Sequence, residues 1–241
     1  MRFRLPIYDV ETFTCATAQP QMPVYLPPAP DEALSSWLLR LAAGMGLPPA
    51  VLIRNGFGIR PEVEIWWWRR PTTTQIERVS KRTAVAVEML VGLTFRGWAT
   101  ARNDEIDERF APHRFNRNSI QPRGMRPIAI CPSCLAEDET PYIRKEWMIG
   151  WTSMCLRHRI VLSTHCPACH AKLLLPSLDS SIIPKVGCCQ RCGQNLAGHV
   201  GEPAREAPLR LQDRLLDYQG SGNGGASGHG CPGLGDGRSD D

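Results

Sequence analysis

Eight cysteines fall within the 62 residues from Cys131 to Cys192, and they come in short-spaced groups. The groups read Cys131-Pro-Ser-Cys134, Cys155-Leu-Arg-His158, Cys166-Pro-Ala-Cys169 and Cys189-Gln-Arg-Cys192. Two residues between donors let a tight turn aim both at one point, about 2.3 Å from a metal for sulfur and about 2.1 Å for imidazole nitrogen. Twenty residues separate Cys134 from Cys155, and nineteen separate Cys169 from Cys189. Such gaps suit the loop of a zinc ribbon or treble-clef-like module. Sequential pairing predicts two sites, one held by Cys131, Cys134, Cys155 and His158, the other by Cys166, Cys169, Cys189 and Cys192.

Two rival chemistries are weaker. A disulfide framework needs export, and the start MRFRLPIYDVETF lacks the apolar core of a signal peptide. A catalytic zinc keeps an open position, whereas each group here offers four donors. Both metals are therefore expected to be structural zinc, and the chain is not expected to be an enzyme. Cys188 stands beside Cys189, so either could serve as third ligand of the second site, the spacing to Cys192 favouring Cys189. His165 and His170 flank Cys166 and Cys169 and are expected to be loop or supporting residues. Cys15 and Cys231 are too isolated to presume ligation.

The length of 241 residues suits one medium or two small domains, with 42% apolar residues to build a core and 21 Gly and 21 Pro to interrupt it. The net charge of +4 is unevenly spread: Arg54 to Arg126 holds 14 basic against 8 acidic residues. No apolar run is long enough to span a bilayer, and a soluble cytoplasmic protein is expected.

Along the chain, residues 1–23 read as an irregular arm, and Pro20, Pro23, Pro27, Pro28 and Pro30 make the first 30 residues proline-rich and exclude a helix there. A helix is predicted from Asp31 as N-cap, with Leu34, Trp37, Leu38 and Leu41 on one apolar face and Ser35, Ser36 and Arg40 on the polar side. Gly44 and Gly46 end it, and Pro48-Pro49 opens a short second helix through Ile53. The run Trp66-Trp67-Trp68-Arg69-Arg70 fits either local packing against the cysteine module or a partner contact. Residues 73–94 predict two helices, Gln75 to Lys81 and Ala86 to Gly92, with Ile76 and Val79 inward. That is helix-turn-helix rhythm. Arg78, Lys81 and Arg82 are its candidate DNA contacts. The Arg-rich stretch 95–127 reads as a solvated connector or a phosphate-tracking segment. Asp104, Glu105, Asp107 and Glu108 form a surface charge run. A short amphipathic helix follows near 209–218, then a Gly-rich tail expected to be disordered.

The fold class predicted is mainly α with small zinc-ribbon or treble-clef-like β elements. Its parts are the arm 1–23, a helical helix-turn-helix region 24–126, a double zinc module 127–200, a short helix 201–218 and the tail 219–241.

The segments Ile130-Cys-Pro-Ser-Cys-Leu-Ala-Glu-Asp, Pro141-Tyr-Ile-Arg, Trp147, Cys155-Leu-Arg-His158 and Cys166-Pro-Ala-Cys169 resemble the zinc-binding half of the TniQ/TnsD family of transposition proteins. Pro30-Asp-Glu-Ala-Leu-Ser-Ser-Trp-Leu-Leu-Arg-Leu-Ala resembles the start of the same domain, and the helical pair through Arg82-Thr83 its helix-turn-helix. The likeness covers residues 22–216. It implies a target-selection adaptor that binds DNA, or a DNA-bound targeting complex, and recruits a TniB/TnsC-like AAA+ ATPase alongside other transposition proteins. The Trp66–Trp68 run with Arg69 and Arg70 is the candidate surface for that ATPase. Without the resemblance, the residues fit a zinc-stabilised nucleic-acid-binding regulator unconnected with transposition.

Overall fold

The structure, a computed structural model, describes residues 21–60, 67–68, 71–95, 126–149 and 152–220. Most of the N-terminal arm, Trp66, Arg69, Arg70, the Arg-rich stretch 96–125, the acidic run within it and the tail 221–241 lie outside the described residues, as do Cys15 and Cys231.

The first helix, α1 (Leu34–Gly44), starts later than Asp31, with Ala33 as its N-cap and no side-chain cap. Asp31 instead adopts φ 55, and its carbonyl accepts from the Lys145 amide at 2.8 Å. The helix is buried nearly all round, Ser35 and Ser36 included. The expected polar side is absent because its polar groups have long-range partners. Ser36 Oγ donates to Glu32 Oε1 at 2.9 Å and accepts from the Ile143 amide at 2.9 Å. Glu32, fully buried, also accepts from Arg40 at 2.6 Å and from the Ala29 amide at 3.0 Å. A buried carboxylate is tolerable only when paired and hydrogen-bonded in this way. Trp37 fills the centre and donates its Nε1–H to the Leu26 carbonyl at 2.9 Å.

Pro49 occupies the first turn of α2 (Pro49–Val51), which runs on into one π turn, Leu52–Gly56. Helix α3 (Thr73–Thr83) opens with a capping box: Thr72 Oγ1 accepts from the Gln75 amide, and Gln75 Oε1 from the Thr72 amide. It outlasts the predicted Lys81, and Ala84 ends it at φ 57. Ile76 and Val79 face inward as predicted. The second helix of the pair, α4 (Val87–Gly92), has six residues and buries Leu90.

The cysteine module adds α5 (Pro132–Glu137) and two small antiparallel ladders. Strand β1 (Arg126–Pro127) pairs with β4 (Leu174–Leu175), and β2 (Met154–Cys155) with β3 (Ile160–Val161). A longer helix, α6 (Glu206–Gly220), closes the described chain. One hydrophobic core runs without interruption from Ala33 through Trp147 to Leu196. Trp67 and Trp68 belong to it, 5% and 4% exposed. Between the helical region and the module, Arg144 lies over the rings of Tyr142 (4.3 Å) and Trp147 (4.8 Å) and binds Asp138 through both terminal nitrogens, at 3.1 and 2.8 Å. No single described helix is long and apolar enough to cross a membrane.

Candidate metal centres and nucleic-acid face

Each donor pair sits in a turn that the sequence builds locally. Cys131 caps α5, Pro132 takes the first turn where its missing N–H costs nothing, and the Cys134 amide points at Cys131 Sγ (3.4 Å). The other three knuckles share one design. The amide four residues after the first cysteine bonds back to that cysteine's carbonyl: Arg159 to Cys155 (2.8 Å), His170 to Cys166 (3.0 Å) and Gly193 to Cys189 (2.9 Å). All three closing residues have positive φ, at 53, 53 and 76. His170 is thus the turn-closing residue of its knuckle.

The knuckles meet in two clusters. Cys131, Cys134, Cys155 and His158 form the first, and Cys166, Cys169, Cys189 and Cys192 the second, with the ligand atoms of each within 4.8 Å of one another. The pairings are those the spacing predicts. In the first, His158 Nδ1 lies 3.4, 3.2 and 3.6 Å from the sulfurs of Cys131, Cys134 and Cys155. Cys134 and Cys155 sulfurs are 3.7 Å apart, as are the pairs Cys166–Cys192 and Cys169–Cys189. A tetrahedral ion with metal–sulfur bonds of about 2.3 Å requires sulfur–sulfur edges of about 3.8 Å and sulfur–nitrogen edges of about 3.5 Å. The donors fit a metal ion in both centres.

Charge leads to the same conclusion. Cys131 loses its proton first, its pKa brought down to about 3 by hydrogen bonds from the Cys134 and Cys155 thiols. Cys134 is pushed up by the same contacts, because a second thiolate beside the first is repelled. In the second centre the Cys169 and Ala168 amides outweigh burial and hold Cys166 at about 7. Cys192 is driven up to about 12: the Gln194 amide opposes the shift, and the crowding thiols, Cys169 foremost, outweigh it. A divalent cation relieves that conflict by letting all the thiols ionise together.

Cys189, not Cys188, faces the second centre. Cys188 pairs instead with Asn195 across a β-bridge. His165 is exposed and contacts Thr164, and neither it nor His170 joins a donor set. The two centres differ in exposure. All three thiols of the first are buried, whereas Cys169 is half-buried and Cys192 exposed in the second.

Two supporting residues carry no spacing signature. Glu137 Oε1 lies 2.9 Å from His158 Nε2, the ring nitrogen turned away from the sulfurs, and its other oxygen binds Arg157 at 2.5 Å. Gln212, on α6, is 3% exposed and bonds the backbone just ahead of Cys155. Glu137 stands one helical turn beyond Cys134, and Gln212 is the one polar residue on the buried seam of Leu209 and Leu216. Those positions were the only sequence hints.

The candidate DNA contacts lie together on α3. Arg78 and Lys81 are exposed, and Arg82 is half-buried with its Nε donating to the Gly56 carbonyl at 3.1 Å. Arg78 Nη1 reaches the Gly58 carbonyl at 3.4 Å, so both guanidinium groups flank one turn. Helix α4 shows solvent Glu88, Met89 and Gly92, none of which carries a side-chain hydrogen-bond donor at neutral pH. Of the tryptophan run, Trp67 and Trp68 are packed in the core; the other members lie outside the described residues.

No curated protein matches the chain in sequence. The TniQ family model matches residues 23–162, more than half of the chain. That stretch contains α1 to α4 and the whole first centre, and it stops four residues short of Cys166. Transposition target selection is the work in which this family takes part, with the DNA and partner proteins that such machinery implies. With its helical region and first donor set inside the match, the chain belongs to the TniQ family of transposition proteins.

Proposed function

We propose that the protein is a target-selection adaptor. It touches DNA, or a DNA-bound targeting complex, and recruits a TniB/TnsC-like AAA+ ATPase to the insertion site. The observation that carries this reading is the TniQ match over a helical region fused through one core to a four-donor centre. Both centres hold zinc in a structural role, since a closed set of four donors leaves no position for a reacting water. In this reading the two metals take no part in strand transfer, which falls to other components of the machinery. DNA contact is made through phosphates by Arg78, Lys81 and Arg82, because the exposed residues of the short α4 carry no side-chain donor for the purine acceptors that Arg, Asn and Gln read. For the ATPase contact, Trp66, Arg69 and Arg70 remain the candidates, since tryptophan and arginine dominate interface hot spots. The burial of Trp67 and Trp68 assigns those rings a packing role beside it.

The test is reconstitution. A TniB/TnsC-like ATPase is assembled on duplex DNA with a slowly hydrolysed ATP analogue, and the zinc-loaded protein is added. Co-sedimentation that depends on both ATPase and DNA supports the adaptor. Binding to DNA with no response to the ATPase points to a zinc-stabilised regulator instead.

A further inference from the structure

The chain leaving the second centre does not trail away. Six residues after Cys192, the Gly198 amide bonds the Pro132 carbonyl at 3.0 Å, beside the first knuckle of the other centre. Residues 202–204 then run along β3 as an added edge strand. The Val161 amide donates to the Glu202 carbonyl (2.7 Å), the Ala204 amide to the Arg159 carbonyl (2.8 Å), and Ile160 bridges Pro203. Glu206 pairs with Arg159, the closing residue of the Cys155–His158 knuckle. Helix α6 then buries Leu209 and Gln212, the latter against the backbone of Ser153 and Met154 just ahead of the same knuckle.

Gln212 makes the decisive contacts. Its Oε1 accepts from the Ser153 amide (2.9 Å) and the Met154 amide (3.1 Å), and its Nε2 donates to the Met154 carbonyl (2.7 Å). One buried amide thereby fixes the strand that delivers Cys155. Gly201 lets the strap lie flat, because a Cβ there would meet Ile160 at 2.5 Å.

We infer that residues 198–216 are a positioning strap for the first metal centre, with Gln212 as its clasp, and that the strap makes the first centre the slower of the two to release metal. The inference rests on both centres binding metal, and concerns neither DNA nor ATPase. Residues that orient a ligand from outside the donor set commonly change metal affinity by roughly 10–100-fold. The strap is anchored at one end by the second centre, whose Cys192 is exposed. Metal exchange should therefore begin there and reach the first centre last.

The experiment uses the full chain loaded with Co2+, whose visible bands separate a three-thiolate, one-imidazole site from a four-thiolate site. Release to excess chelator is followed for wild type, Gln212→Met and Gly201→Ala. Two phases are expected in wild type, the four-thiolate band fading first. Each variant should speed loss of the three-thiolate band by roughly tenfold or more, leaving the four-thiolate rate unchanged. Unchanged loss at the first centre in both variants overturns the inference, as does equal acceleration at both centres, which marks general loosening. A wild-type chain that takes up fewer than two Co2+ overturns the metal reading beneath it.

Discussion

Glu137 Oε1 accepts from His158 Nε2 at 2.9 Å while Nδ1 of the same ring faces three sulfurs. The carboxylate settles which nitrogen carries the proton and so which one is left to bind metal. Glu137→Ala should weaken the first centre by roughly 10–100-fold and leave the second unchanged. Competition against a chelator of known affinity, in wild type and variant, checks this. Equal affinities would make the contact incidental.

Metal removal should unfold far more than the knuckles. Structural zinc contributes roughly 10–16 kcal/mol in small modules, as much as a whole domain's net stability. The buried Trp147 shares one core with Cys131, Cys134 and Cys155, as do Trp37, Trp67 and Trp68, so the tryptophan fluorescence should shift to the red on chelation. Cys134→Ser and Cys169→Ser should each reduce bound metal from two per chain to one, read by elemental analysis.

His170 closes a knuckle at φ 53 without belonging to a donor set. Glycine takes that conformation without steric cost, so His170→Gly should retain two metals and gain up to about 1 kcal/mol in stability. A loss of one metal would show the ring to be a ligand.

Glu146 is pushed up to about 7, first by burial and then by the nearby Cys155. Its folded pKa exceeds the ordinary value of 4.5, so the folded state holds this proton more tightly than the unfolded state. The contribution is fully present below the unfolded value and is lost as pH rises through about 7. Glu146→Gln should therefore stabilise the protein by up to about 3 kcal/mol near pH 8, and by progressively less toward pH 5. Thermal melts across that range check the sign.

DNA binding should be salt-sensitive. Each of Arg78 and Lys81 that meets a phosphate adds about 0.9 to the slope of log affinity against log salt. Alanine at either position should lower the slope by that amount and weaken all sequences alike. A slope unmoved by both changes would place the contact face elsewhere.

The grouping of the eight donors into two clusters was legible because its information is local: two residues between donors define a turn whatever surrounds it. The same holds for the Thr72–Gln75 capping box, Pro49 at a helix start and the inward Ile76 and Val79. What could not be read was set by distant partners. Ser36 looks like a surface residue until the Ile143 amide, 107 positions on, arrives to use its oxygen. Asp31 looks like an N-cap until its carbonyl is claimed by Lys145. The choice between Cys188 and Cys189 turned on which of two neighbours the local bridge to Asn195 sends away from the cluster. Tyr142, Arg144 and Trp147 could be picked out as a pattern, but only the stacked guanidinium shows what the pattern does.

The stitch between Glu32, Ser36 and Ile143 also bears on transplantation. Here a break between α4 and β1 would take from the buried Ser36 hydroxyl the Ile143 amide it accepts from, while Glu32 would keep Ser36, Arg40 and the Ala29 amide, and it would open the core that Trp37 and Trp147 share. Neither half could be grafted onto another protein without repainting that seam. A change that cost the first centre its metal would therefore be felt in the packing of the helices as well.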